Sequence, residues 1–264
     1  MLKLSLMSAS MSVQGASPSE IADTAAAIGL DGIEWVTELN STAKELRHSA
    51  DAAGMPVVCY TFFAQQVGYG LRDGLDVVRR GIDYALELGA PMVMVPFAPL
   101  RGHSRLEAQQ CWVSNFPPAA ELILDSGLTF AIENYPGFDS PMIFADDFFV
   151  YKRHFPQVKL VFDDGNAGSV EDELESCVRT FDDIVHVHFK DWRFHDTPGE
   201  GKIRAGEKRW MSPELIGEGD VKTQAVWRYL QTRNYRGYVS LEYEGRFYGG
   251  AESMRRAAAF LRGL

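Results

Sequence analysis

Short apolar runs alternate with helix-like patterns along the whole chain. Eight runs rich in Val, Ile, Phe and Tyr read as strands, beginning at Lys3 (KLSLMSA), Gly32 (GIEWV), Pro56 (PVVCYTFF), Pro91 (PMVMVPF), Leu128 (LTFAIENY), Val158 (VKLVFDDG), Ile184 (IVHVHFKD) and Gly237 (GYVSLEYE). Several are apolar at successive positions, as strands covered on both faces of a parallel sheet must be. The segments between them carry helix signals. Ser17-Pro18-Ser19-Glu20 places a hydroxyl at the N-cap, Pro at the first helical position and Glu three residues after the cap, predicting a helix that closes at Gly29. Leu75, Val78, Ile82 and Leu86 fall on one helical face, with Gly89 ending the segment, and Pro117-Pro118 divides Arg105 to Ser126 into two pieces. Asp220 is positioned to cap a helix carrying Val226, Trp227 and Leu230, and a final helix holds Met254, Ala258 and Leu261.

Strands and helices in strict alternation predict an α/β fold, a single (β/α)8 TIM barrel spanning 1–264. The rival, a doubly wound open sheet, would usually carry a Gly-rich phosphate turn after an early strand, and none follows the first or second. One long irregular piece, Trp192 to Glu218, follows the seventh strand. A loop of that length is normally functional. In a barrel it would lie at the C-terminal mouth, so 192–218 is expected to form a lid.

The chain has 264 residues, with 26 Lys and Arg against 36 Asp and Glu, a net charge of −10. Such a surface repels a phosphate backbone unless it hides a basic groove, and no run of Lys and Arg would form one, so nucleic acid is not an expected partner. The cysteines Cys59, Cys111 and Cys177 are far apart and lack metal-ligand spacing, which fits inert thiols in a reducing compartment. The N-terminal MLKLSLMSAS is too short and too serine-broken for a signal h-region. The most apolar segment, PMVMVPFAPL, has about half the length needed to cross a bilayer. The expectation is a cytoplasmic protein without a membrane partner.

Four strands end in residues that an apolar barrel has no structural need to carry. The fifth ends Glu133-Asn134-Tyr135, the sixth Asp163-Asp164-Gly165-Asn166, the seventh His186-Val187-His188-Phe189-Lys190-Asp191 and the eighth Glu242-Tyr243-Glu244. In a parallel barrel these ends converge on one mouth. Two Glu, one Asp and one His together suit a divalent ion of intermediate hardness, Mn²⁺ before a structural zinc, with Co²⁺, Mg²⁺ or a catalytic Zn²⁺ as other occupants. Alternation puts His186 and His188 on one face and separates Asp163 from Asp164, but it does not say which of each pair points inward. Taken singly, each residue also has a plain structural reading. A carboxylate after a strand caps the next helix, His186 is a core histidine, Lys190 and Asp191 are a solvated pair, and GEGD at Gly217 is a turn with a cap.

The motifs AIENYPG, LVFDDGN, VHFKDW, GEGD and VSLEYEG, in this order, resemble the xylose-isomerase-like barrel superfamily of sugar isomerases and epimerases, over essentially the whole chain. The resemblance implies that Glu133, Asp163, His188 and Glu242 bind the metal, and that Glu133 exchanges a proton with substrate. Asn166 stands where many relatives have a histidine near the substrate, and Lys190 and Asp191 flank the site. It also allows a homo-oligomer, since relatives are often dimers or tetramers.

The chemistry such a set could run is proton abstraction beside a carbonyl, with a metal-stabilised enediolate and Glu133 and Glu242 as acid and base. An isomerase or epimerase of a sugar, polyol or keto-sugar is expected first. The alternative is a lyase or dehydratase acting on a keto-inositol or oxidised glycoside through the same enolate, and a non-catalytic carbohydrate-binding subunit comes after that. Expected substrate contacts are Asn166, Lys190, Arg193, Phe62 and Trp35. Phe63 and Tyr69 could also stack on a sugar, Arg101 and His103 follow the fourth strand, and for Trp35 and Trp112 core packing is the favoured reading. The lid cations Arg193, Lys202, Arg204, Lys208 and Arg209 are balanced by Asp196, Glu200, Glu207 and Glu214, so no phosphorylated substrate is inferred.

Overall fold

The structure is a computed structural model and describes residues 2–37, 41–207 and 209–264. Among these, eleven strands follow in order: β1 (Lys3–Met7), β2 (Gly32–Val36), β3 (Val57–Thr61), β4 (Met92–Met94), β5 (Thr129–Glu133), β6 (Lys159–Asp163), β7 (Ile184–Phe189), β8 (Asp191–His195), β9 (Ile203–Gly206), β10 (Arg209–Glu214) and β11 (Tyr238–Leu241). Strands β1 to β7 and β11 close into a barrel, each hydrogen-bonded to its neighbours and β11 returning between β7 and β1. Every pairing in the barrel is parallel. All eight strands expected from the sequence are present, and helices lie between them.

Alternation along the strands separates two environments. Outward residues such as Ile33, Trp35, Val93, Phe130, Phe162, Phe189 and Leu241 are buried in one large core with the helices. The inward positions are unusual, because one sector is polar. Ser5, Glu34, Thr61, His186, His188 and Ser240 are fully buried there, while Cys59, Met92, Met94, Ala131 and Val161 form a small apolar cluster of their own. Barrel interiors are commonly filled with branched aliphatic residues, so a polar filling marks a place where something other than packing is required.

The helix signals hold where capping carries them. Ser17 and Glu20 form a capping box on the helix Pro18–Ala27, and Arg105–Asn115 and Pro117–Asp125 are separate helices on either side of Phe116. Two expectations fail. On the helix Gly74–Leu88 the buried face is Gly74, Val78, Gly81, Ile82, Ala85 and Leu88, and Leu86 is exposed. Small residues set that face: a Cβ on Gly81 would lie 2.7 Å from the ring of Phe62, so the glycine lets helix and barrel approach. Asp220 does not cap the helix Thr223–Thr232; its carboxylate takes the N–H of Phe194 at 2.8 Å and the Arg193 guanidinium at 2.7 Å.

The segment expected as an irregular lid is a three-stranded antiparallel sheet, ordered β8-β10-β9. It packs Trp192, Ala205 and Met211 into a separate apolar cluster. Pro213 obscures it in the sequence, since proline argues against a central strand. Pro213, however, pairs only with Trp192 on β8 and lies beyond the end of β9, so no ladder hydrogen bond is lost on that side. Among the described residues no helix is long and apolar enough to cross a membrane.

Candidate active site

Glu133 ends β5, Asp163 ends β6, His188 is next to last on β7 and Glu242 directly follows β11. The barrel therefore delivers all four to its C-terminal mouth, and one ligand atom from each lies within 4.8 Å of the others. His188 Nδ1 is 2.7 Å from Glu133 Oε1 and 3.5 Å from Glu242 Oε2. The four side chains are almost completely buried. They form the set expected from the sequence.

Asp163 serves two ends. Its Oδ1 accepts the N–H of Asn166 at 2.7 Å and so caps the short helix Asp164–Val170, while Oδ2 accepts no hydrogen bond. Glu242 divides in the same way: Oε1 accepts from Lys190 Nζ at 3.0 Å, and Oε2 is left without a donor. Buried carboxylate oxygens without partners are costly, and here two face one small space. Burial pushes the Asp163 carboxyl well above the usual range, and Glu242 and Glu133 add to the shift against the pull of Lys190. The cluster is short of positive charge. Three carboxylates and an imidazole with two orphaned oxygens fit a divalent cation.

Lys190 supplies the positive charge that is present. Its Nζ lies 3.2 Å from Asp163 Oδ2 and donates to Glu242 and, at 2.7 Å, to Glu244 Oε1. Burial alone would lower its pKa, but Asp163, Glu242 and Glu244 hold the ammonium well above its ordinary value. Lys190 is thus a fixed cation at the site, and not the solvated half of a pair. Asp191 is buried too: its carboxylate accepts the N–H groups of Trp192, Gly217, Gly219 and Val221 at 2.9 to 3.0 Å. The GEGD turn is therefore wrapped around the side chain of the HFKD motif. A Cβ on Gly219 would lie 2.1 Å from Asp191 Oδ1, so only glycine fits there.

Asp164 and Asn134 fasten the strand ends. Asp164 accepts from the Lys190 N–H at 3.1 Å and from Thr223 Oγ1 at 2.7 Å. The Asn134 amide bonds both the N–H and the C=O of Asp163, at 2.8 and 2.7 Å.

Above the cluster opens a pocket of about 470 Å³, within the range of small-molecule sites. Glu133, Lys190, Glu242 and Glu244 line it, with walls that include Val36, Phe63, Tyr135 and Tyr243. The lid sheet contributes Ile203. Several expected substrate contacts lie elsewhere. Trp35 faces the outer core and Phe62 packs on the helix at Gly81; Phe63, one residue on, reaches the pocket instead. Asn166 is fully buried in its helix with both amide atoms unpartnered and does not line the pocket. Arg193 pairs with Asp220 on the lid. Arg204 pairs with Asp139 and Arg209 lies over the Phe194 ring, so neither turns to the pocket, and Lys208 lies outside the described residues. Trp112 stacks on Phe97 with centroids 4.5 Å apart in the core.

Glu34 was not singled out by the sequence reading. It is fully buried inside the barrel and bonds both His186 and His188. The two imidazoles hold its carboxyl well below the usual range, against the opposing effect of burial. The signal was present: one carboxylate inside the run GIEWV, which otherwise reads as a strand buried on both faces.

Comparison with known proteins places these features in a family. An inosose dehydratase of Lacticaseibacillus casei is 34% identical over 93 residues, which is 33% of this chain; the match spans 31% of the dehydratase's length. A 2-oxo-tetronate isomerase of Haemophilus influenzae is 24% identical over 250 residues, covering 85% of this chain and 86% of the relative. The crystal structure of the 3-keto-D-glucoside 4-epimerase YcjR from E. coli superposes with a TM-score of 0.76 at 19% identity, covering all of both chains, a likeness of fold. The family model of the xylose isomerase-like TIM barrel matches residues 22–264. On that match, joined to the closed barrel and its mouth of carboxylates, the chain belongs to the xylose isomerase-like TIM barrels.

Proposed function

We propose that this protein is a divalent-metal-dependent isomerase or epimerase of a sugar or keto-sugar. The observation that carries the reading is the convergence of Glu133, Asp163, His188 and Glu242 at the barrel mouth, with two carboxylate oxygens that accept no hydrogen bond and with Glu133 and Glu242 lining the pocket. These four residues would hold the cation, Mn²⁺ being the occupant best matched to the donor set. When bound, a cation would supply Lewis-acid polarisation of a substrate carbonyl and its neighbouring hydroxyl.

The remaining work falls to the protein's own side chains. Glu133 and Glu242 come from strands three places apart around the barrel and both border the pocket. One takes the proton from the carbon beside the carbonyl, and the other returns it. Used as a pair they support epimerisation; one alone, acting as a shuttle, supports aldose–ketose exchange. Lys190 donates to Glu242 Oε1 at 3.0 Å and fixes the orientation of that carboxylate beside the pocket. Phe63, Tyr135 and Ile203 supply apolar surface over the floor and exclude water from the reacting carbon.

The stretch similar to an inosose dehydratase favours a second reading, loss of a β-hydroxyl after the same proton abstraction. A panel of keto-sugars and keto-inositols incubated in D₂O tests both. Deuterium at the carbon beside the carbonyl with no other change in mass supports isomerisation or epimerisation, and a product lighter by water supports the dehydratase. Neither product nor deuterium exchange with any member, by protein that has taken up metal, overturns the enzymatic reading in favour of a non-catalytic binding subunit.

A further inference from the structure

Below the four-residue cluster, inside the barrel, lies a second group of buried polar side chains built around Glu34. Its Oε2 accepts from His188 Nε2 at 2.8 Å, His186 Nε2 at 2.9 Å and Ser240 Oγ at 2.9 Å, and its Oε1 accepts from Thr61 Oγ1 at 2.8 Å. Ser240 is in turn 2.8 Å from Ser5. Glu34, His186 and His188 also satisfy the spacing of a cation site, yet both oxygens of Glu34 and both nitrogens of His188 have partners. The orphaned oxygens belong to Asp163 and Glu242 alone, so the deeper group reads as a hydrogen-bond network and not as a second site.

The two rings of bonds meet at His188, whose two nitrogens face different groups. Nε2 meets a carboxylate, which only accepts, so that nitrogen carries a proton. Nδ1 likewise meets a carboxylate, 2.7 Å from Glu133 Oε1 and 3.5 Å from Glu242 Oε2, and carries a proton there; a cation taken up by the cluster would displace the Nδ1 proton, while the carboxylate of Glu34 keeps the one on Nε2. We propose that Glu34 is the positioning residue of this site, fixing the ring orientation and tautomer of His188 so that Nδ1 is presented to the cation.

This deepens the metal reading of the four-residue cluster and rests on it. Stability does not explain the arrangement. A carboxylate buried under a parallel barrel can often be exchanged for well-packed apolar residues at no loss, whereas a metal-bound histidine nearly always has its other N–H held by a carboxylate or carbonyl. Glu34 reaches His188 because β2 lies three places from β7 around the barrel, so the contact crosses the interior, through the polar sector.

The test is Co²⁺ titration of the full-length protein by calorimetry and visible absorption. Glu34→Gln, which keeps size and one acceptor but loses the charge, should weaken Co²⁺ binding about 10- to 100-fold and alter the d–d spectrum. Ser240→Ala removes a hydroxyl partner of Glu34 that makes no side-chain hydrogen bond to His188. It should lower the melting temperature and leave Co²⁺ affinity unchanged. An affinity in Glu34→Gln equal to wild type, or a loss no larger than in Ser240→Ala, overturns the inference and leaves the metal reading standing. No uptake by wild-type protein overturns both. If Glu34→Gln does not fold, nitrogen NMR of histidine-labelled wild-type protein loaded with Zn²⁺ decides: a protonated Nε2 on His188 supports the inference, and a protonated Nδ1 overturns it.

Discussion

Asp163 illustrates how one residue can satisfy the structural and the chemical reading of a motif together. One oxygen caps a helix, and the other accepts no hydrogen bond and faces the cluster, 3.2 Å from the Lys190 ammonium. Asp163→Asn keeps the capping oxygen and replaces the other with an amide donor. It should change stability by less than about 1 kcal/mol, since Asn caps as well as Asp, while weakening Mn²⁺ binding at least about tenfold. Thermal melting and calorimetric titration of the same preparation read the two effects separately. Glu133→Gln and Glu242→Gln should each keep the fold and lower turnover by about 10²- to 10⁴-fold, with solvent deuterium no longer entering the substrate; normal exchange in both would remove the acid–base roles. At this scale the polar strand ends are legible from the sequence, while the choice of Asp163, His188 and Glu242 within them comes from the family resemblance, because alternation leaves each pair open. Trp35 and Phe62 were misread because a residue's distance from a strand end does not reveal its face. Glu34 carries no strand-end signal, because it lies at the centre of β2.

Elements were readable where local signals define them and misread where neighbours do. The capping box at Ser17 acts within four residues, and its helix begins there. The buried face of Gly74–Leu88, by contrast, is set by how closely Phe62 approaches Gly81. Gly81→Ala should therefore destabilise the protein by about 1–3 kcal/mol through overpacking, despite the better helix propensity of alanine. Denaturant unfolding checks this, and a stabilised variant would mean that the ring shifts freely. At the far end of the barrel Asp183 binds Lys152 at 2.8 Å and Lys159 at 3.1 Å, tying the helix Ala145–His154 and β6 to the start of β7. Burial would raise its pKa, but the two ammonium groups outweigh burial and hold it below the ordinary value. The folded state therefore binds the proton less readily than the unfolded chain. The stabilisation is present above the unfolded carboxyl pKa and disappears as pH falls through the lower folded value. Asp183→Asn should cost at most about 1 kcal/mol at pH 7, because the pair is partly exposed and screened, and its penalty should shrink as unfolding is measured below about pH 4.

On the scale of the whole molecule, a chain of net charge −10 gathers several of its carboxylates into one buried cluster, so cation binding should stabilise the fold as a unit. Free Mn²⁺ at about 100 times its dissociation constant adds about 2.7 kcal/mol, a rise of roughly 5 °C or more in melting temperature over chelator-treated protein. His188→Ala should lose that rise; an equal rise in the variant would locate the stabilising cation elsewhere. The sequence by itself determined the barrel, its eight strands and the polar strand ends at its mouth. Those depend on apolar runs, caps and strand-end polarity, which are local, and on a parallel closure that brings all C-terminal strand ends together. Tertiary structure decided which face each side chain takes and that the lid is a sheet. It also decided that Asp191 gathers the GEGD turn and that Glu34 meets His188 across the barrel interior. Each of these depends on contacts between segments far apart in the chain, whose partners no local pattern encodes.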